Sequence, residues 1–110
     1  MNISSILIAK NEEQNIEKCI KSLLNSVDEI NVFIDDLSDD RTFEIAEKFN
    51  NIKLRKIKWQ GFSATKQEAL KFVTNDWVFW IDADEVITEK LSEELINFKD
   101  NVPQHSVYSV

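Results

Sequence analysis

Residues 77–85 read Trp77-Val78-Phe79-Trp80-Ile81-Asp82-Ala83-Asp84-Glu85, five apolar side chains followed by three carboxylates in four positions. An unbroken run of aromatic and β-branched residues, set off by the turn residues Asn75 and Asp76, predicts a central strand buried on both faces. The carboxylates that follow place the end of this strand in water. Two further segments share the layout. Ile3 to Ala9 is a short apolar run that stops at Lys10, Asn11, Glu12, Glu13 and Gln14, and Ile30 to Ile34 stops at Asp35 and Asp36.

Helical patterns separate these strands. Asn11 as N-cap with Gln14 three residues on predicts a helix start, and Ile16, Ile20, Leu23, Leu24 and Val27 then recur at helical spacing. Cys19 lies beside that stripe and reads as a small core residue. Ser38, Asp39 or Asp40 can cap a second helix bearing Phe43, Ala46 and Phe49, with Glu44 and Lys48 paired at i,i+4. Ile52, Leu54 and Ile57 alternate in a third strand, more polar and so nearer an edge. The connection Trp59-Gln60-Gly61-Phe62 leads into a helix from about Ser63 to Val73. Thr88 caps a last helix with Leu91, Leu95 and Phe98, and Ser106 to Val110 begins another strand. Strands alternating with helices predict an α/β fold with a parallel sheet and right-handed crossovers. Ligands of such sheets bind beyond the carboxyl ends of the strands, where three polar clusters of this chain fall.

The composition fits one globular domain over residues 1–110. The chain has 110 residues with 43% hydrophobic and 30% charged, and no linker or repeat divides it. With 13 Lys plus Arg against 20 Asp plus Glu the net charge is −7, which argues against a nucleic-acid partner. One cysteine permits no internal disulfide. The absence of a bilayer-length apolar run and of a basic signal-peptide start predicts a cytoplasmic protein.

Asp82 and Asp84 lie two residues apart with Glu85 adjacent, a repulsive arrangement unless a cation or donors come between them. Hard oxygen ligands in an open site favour Mg²⁺ or Mn²⁺, and an acidic loop leading into a helix is the bland alternative. A phosphatase-like pair, nucleophile and acid–base partner, also fits the segment. It would draw further groups from elements after Glu85, where only 25 residues remain. A calcium loop does not fit, since no glycine holds its sixth position. Trp77 and Trp80 read as core rather than as sugar-stacking surfaces, Trp59, in a more open connection, equally as packing anchor or sugar-stacking surface, and His105, without ligand companions, as surface.

Taken in order, Ile6 to Glu13, Ile34 to Thr42, Trp59 to Leu70 and Trp77 to Glu85 resemble a family 2 glycosyltransferase, in particular the bacterial branch that adds sugars to lipopolysaccharide core. The resemblance covers essentially the whole chain. It implies the Rossmann-like, nucleotide-binding half of a GT-A fold, with a mainly parallel sheet in the order 3-2-1-4 flanked by helices. It implies that Ala9, Asn11 and Glu12 line a nucleoside pocket, that Asp35 recognises the base, and that Lys66 meets the base or diphosphate. Asp82 would lie near the ribose or metal, and Asp84 would be the principal ligand of Mn²⁺ or Mg²⁺. The metal would neutralise the leaving diphosphate, which the protein's own charge would otherwise repel.

The partners implied are a nucleotide-diphosphate sugar, with UDP favoured, and a saccharide or lipid-linked acceptor. Transfer would invert the sugar, at a location in the cytoplasm or peripheral at the inner face of the membrane. The acceptor half and catalytic base of the family fall beyond residue 110, so no catalytic residue is assigned and the activity of the isolated chain is open. A truncated, non-catalytic binding or assembly module is the alternative. Without the acceptor half, Ser106 to Val110 would be partly unpaired, with an exposed apolar flank inviting self-association. The family's small flexible turn after Asp35 is Asp36-Leu37-Ser38 here, which would strain Leu37 if positive φ were required. Gln67 replaces the asparagine that usually follows the basic residue.

Overall fold

The computed structural model describes residues 2–73, 75, 77–84, 93–97 and 106–109. Its strands are β1 (Ile3–Ala9), β2 (Glu29–Asp35), β3 (Lys53–Ile57), β4 (Trp77–Asp82) and β5 (Ser106–Ser109), and its helices are α1 (Ile16–Leu23), α2 (Thr42–Glu47) and α3 (Phe62–Leu70). All strand pairs are parallel, in the order β3-β2-β1-β4-β5. The predicted 3-2-1-4 core is present, and β5 extends it as the outer strand beside β4. Ser106–Ser109 is therefore paired on one side, with β4, and lies at the edge of the sheet. The polar β3 lies at the opposite edge, as its composition predicted.

The pleat divides the core between two faces. Ile3, Leu7 and Ala9 of β1, Val32 and Ile34 of β2 and Trp77, Phe79 and Ile81 of β4 pack under Ile16, Cys19, Ile20 and Leu23 of α1 and Ala46 of α2. Ile6 and Ile8, Phe33, Ile57, and Val78 and Trp80 turn to the other face, against Ala69 of α3 and Val73 just after it. The apolar run of β4 thus feeds both layers. Residues 93–97 are helical and Leu95 joins the first layer. Glu85, Thr88, Leu91, Phe98 and His105 lie outside the described residues.

The helix starts differ from the sequence reading. α1 begins at Ile16 and not directly after Asn11, and its N-cap position, Asn15, makes no side-chain capping bond. Asn11 adopts φ 52°, and its side-chain oxygen accepts from the Asp39 N–H at 2.9 Å, so it is committed across the loops and not to the helix. α2 begins at Thr42, one residue after Arg41, with Asp40 accepting from the Thr42 N–H at 2.9 Å. Glu44 pairs with Arg41 at 3.0 Å rather than with Lys48. α3 stops at Leu70, three residues short of the predicted end.

Candidate functional site

The carboxyl edge of the sheet gathers the polar strand ends. In the registers, Ala9 stands beside Ile34, Asp35 beside Ile57, and Asp82 beside Ile8. Alternation along β2 and β4 sends Asp35 and Asp82 to the same face as Phe33 and Trp80, the face covered by α3. The two aspartates therefore share one face and one edge, with β1 between them. Two strand spacings of about 4.8 Å and a stagger of two residues at about 3.3 Å each put their Cα positions roughly 12 Å apart.

Beyond this edge lies a cavity of about 290 Å³ lined by Ile8, Ala9, Lys10, Asp35 and Trp59. Asp35 is 5% exposed. Its Oδ1 accepts from the Leu37 N–H at 2.9 Å, and the turn closes with the Ser38 N–H on the Asp35 carbonyl at 2.9 Å. Its Oδ2 has no hydrogen-bond partner among the described residues, so a nearly buried carboxylate brings an uncommitted acceptor to the cavity wall. Leu37 carries no positive φ: Asn11 is the only such non-glycine among the described residues. The condition for strain at Leu37 is therefore not met; the Asp35 side chain stabilises the turn through the N–H of residue 37, and the leucine side chain stands 70% exposed.

A network of side-chain bonds ties the β1–α1 loop to the β2–α2 loop. The Asn11 N–H donates to Ser38 Oγ at 2.9 Å, the Glu12 N–H to Thr42 Oγ1 at 2.8 Å, and the Glu13 N–H to Asp40 Oδ2 at 3.1 Å. Desolvation alone would raise the Asp40 carboxyl pKa. The donors that converge on it, first the Thr42 hydroxyl and N–H, then the Glu13 N–H and the Ser38 hydroxyl, outweigh this and hold it below the ordinary aspartate value. Asn11 and Glu12 border a second, smaller cavity of about 180 Å³ with Glu13, Gln14, Asn15 and Asp40. Of the three residues expected around a nucleoside pocket, the structure places Ala9 on the wall with Asp35, while Asn11 and Glu12 face the smaller cavity.

Lys66 comes to the same face from α3. Its Nζ lies 4.8 Å from the ring centroid of Trp80, two residues before Asp82 on β4. Asp82 and Asp84 are exposed, and the buried Ala83 between them belongs to the core of the opposite face. Among the described residues no three His, Cys, Asp or Glu side chains gather closely enough to hold a metal ion. Two exposed carboxylates at a strand end nevertheless suit Mg²⁺ or Mn²⁺, which characteristically take one or two protein carboxylates and complete their shell with substrate phosphates and water.

Lys10, Ile8 and Trp59 line the cavity although neither spacing nor the family resemblance assigns them to a site. The signal for Trp59 was its position, two residues past the end of a strand. Tryptophan in a connection otherwise full of polar residues has either a pocket to fill or a ligand to meet.

A model of glycosyl transferase family 2 matches residues 4–110. The chain belongs to this family. Among curated relatives, an uncharacterized glycosyltransferase of Rickettsia bellii is 38% identical over 93 residues, covering 84% of this chain and 31% of that protein. The lipopolysaccharide core biosynthesis glycosyltransferase LpsC of Rhizobium meliloti is 34% identical over 107 residues, covering 91% of this chain and 39% of that protein. Among solved structures, residues 1–349 of S. aureus TarS in complex with UDP-GlcNAc superpose with a TM-score of 0.75 at 26% identity, covering 91% of this chain and 31% of that one. This family 2 chain thus spans about a third of the length of the relatives it matches, and shares with TarS a fold that there holds UDP-GlcNAc.

Proposed function

We propose that this chain is the donor-binding part of an inverting glycosyltransferase that takes a UDP-sugar across the carboxyl edge of its sheet. The observation that carries the reading is the shared face and edge of Asp35 and Asp82. A base held at Asp35 and a diphosphate near Asp82 would lie about 12 Å apart across β1, a span that an extended nucleoside diphosphate covers. Asp35 Oδ2 would accept the ring N–H of uracil, and Ala9 would let the nucleoside lie close to the backbone of β1. Lys66 would supply positive charge toward the diphosphate. Asp84 and Asp82 would hold Mn²⁺ or Mg²⁺, which when bound offsets the charge of the leaving diphosphate.

The acceptor, a saccharide or lipid-linked sugar of cell-surface polysaccharide or lipopolysaccharide, would be held by the remainder of a longer protein. That remainder would also bring the carboxylate that deprotonates the acceptor hydroxyl. The reaction would take place in the cytoplasm or at the inner face of the membrane, and among the described residues no helix is long and apolar enough to cross a bilayer. The outer strand β5 would offer a surface for self-association. Calorimetric titration with UDP and UDP-GlcNAc, in Mn²⁺ and again in chelator, tests the donor site. Binding that requires the metal is expected. Equal binding in chelator contradicts the metal role, and no binding in either condition contradicts the donor site.

A further inference from the structure

The family resemblance implies that Asn11 lines a nucleoside pocket, yet Asn11 borders the smaller cavity and not the one that contains Asp35. Its hydrogen bonds run to the loop that follows Asp35. The Asn11 N–H donates to Ser38 Oγ at 2.9 Å, and Asn11 Oδ1 accepts from the Asp39 N–H at 2.9 Å. The single proton of the Ser38 hydroxyl lies between Asn11 Oδ1 at 3.2 Å and Asp40 Oδ1 at 3.4 Å. To aim a main-chain donor and a side-chain acceptor at one loop, Asn11 takes φ 52°, a left-handed conformation that asparagine tolerates better than most residues with a Cβ.

These bonds reach Asp35 in one further step. The Ser38 N–H donates to the Asp35 carbonyl at 2.9 Å, and the Leu37 N–H to Asp35 Oδ1 at 2.9 Å. The turn thus commits one carboxylate oxygen and leaves Oδ2 at the cavity wall. The Leu37 side chain, 70% exposed, gives this turn little packing of its own, so polar bonds set its position.

From this geometry we infer that Asn11 is a positioning residue for base selection. Through Ser38 and Asp39 it holds the turn that aims Asp35 Oδ2 into the cavity, and it does not touch the nucleotide. The inference rests on the donor-site reading and adds to it the residue that keeps the base-reading acceptor in place. A hydrogen bond to one ring edge weakens steeply once misaligned. Loosening the turn therefore costs recognition of the uracil N3–H and spares whatever UDP and CDP have in common.

The test measures the Kd for UDP and for CDP by calorimetry in Mn²⁺. Asn11→Gly keeps the left-handed backbone and removes the side-chain acceptor. It should raise the Kd for UDP about two- to tenfold, the worth of one hydrogen bond, while the Kd for CDP holds, so that the preference for uracil narrows. Asn11→Asp keeps an oxygen for the Asp39 N–H and should recover most of that loss. Ser38→Ala should narrow the preference in the same way, and combining it with Asn11→Gly should cost less than the sum of the two, because both release one turn. If Asn11→Gly weakens UDP and CDP by the same factor, the side chain meets a part that both nucleotides share, and the positioning role is overturned while the donor site stands. The role is also overturned if Asn11→Gly binds UDP as the wild type does, or if Asn11→Asp binds it no better than Asn11→Gly. A wild type that binds no UDP removes the donor site and this inference with it.

Discussion

Asp35→Asn separates recognition from folding, because the amide can replace one carboxylate oxygen but not the other. Its side-chain oxygen can keep the Leu37 N–H, now accepted at 2.9 Å, and the turn is retained. The NH₂ group then occupies the place of Oδ2 and presents a donor to the cavity. Toward the N3–H of uracil this removes a charge-assisted hydrogen bond, worth about 1.5–3 kcal/mol, and leaves two donors facing each other. At 1.4 kcal/mol per tenfold, the Kd for UDP should rise roughly 10- to 150-fold. Cytosine offers an acceptor at its N3, so CDP should lose less or gain, and the UDP-to-CDP preference should narrow or invert. The midpoint of thermal unfolding should hold or rise, since a nearly buried charge has been removed without losing the bond that shapes the turn. Calorimetry with both nucleotides, alongside a thermal melt, reads these effects. Unchanged UDP affinity in a folded Asp35→Asn variant would refute the assignment of Oδ2 as the base acceptor.

The remaining predictions concern the metal, the loop network and the turn. Asp84→Asn should abolish the difference between UDP titrations in Mn²⁺ and in chelator; persistence of that difference would move the metal away from Asp84. Asp40 has a folded-state pKa below its unfolded value, so its contribution is present above the ordinary aspartate pKa and lost as pH falls through the lowered one. Asp40→Asn should therefore destabilise the chain near neutral pH and flatten the acid limb of a pH-dependent urea denaturation series. Leu37→Gly should leave UDP affinity unchanged, because no positive φ is relieved, and cost about 0.4–1 kcal/mol of stability through added freedom of the unfolded chain.

The sheet was legible because each strand announces itself twice, by its apolar run and by the polar residues that stop it. Trp77 to Ile81 reads as a central strand from its unbroken apolar run, and Ile52, Leu54 and Ile57 as nearer an edge from their polar neighbours. The neighbour order of the strands came from the family resemblance, since βα alternation leaves several orders open. The loops were less legible. Asn11 and Asp40 both look like helix caps in sequence, and a cap is a local bond. In the structure Asn11 bonds across to Ser38 and Asp39, while Asp40, one residue before the N-cap position Arg41, accepts from the Thr42 N–H and also from the Glu13 N–H. Such long-range use of a polar side chain leaves no periodic trace. Strain at Leu37 would follow only from a positive φ, and the turn avoids it: the Asp35 carboxylate accepts from the Leu37 N–H and the Asp35 carbonyl from the Ser38 N–H, donors that any residue other than proline supplies. Trp59 stayed undecided because its value depends on the cavity, which three separated strand ends create together.

The central claim is that a nucleoside diphosphate lies across the carboxyl edge, from Asp35 to the Asp82–Asp84 turn. At 110 residues the chain suits ¹⁵N–¹H correlation spectroscopy during titration with UDP and Mg²⁺. The account predicts that shifts concentrate at Ala9, Lys10, Asp35, the Trp59 indole, Lys66 and Asp82 to Asp84, while Ser4, Asp28 and Asn31 at the amino ends of the strands stay still. Shifts centred on those amino ends, or none at saturating UDP, would contradict it.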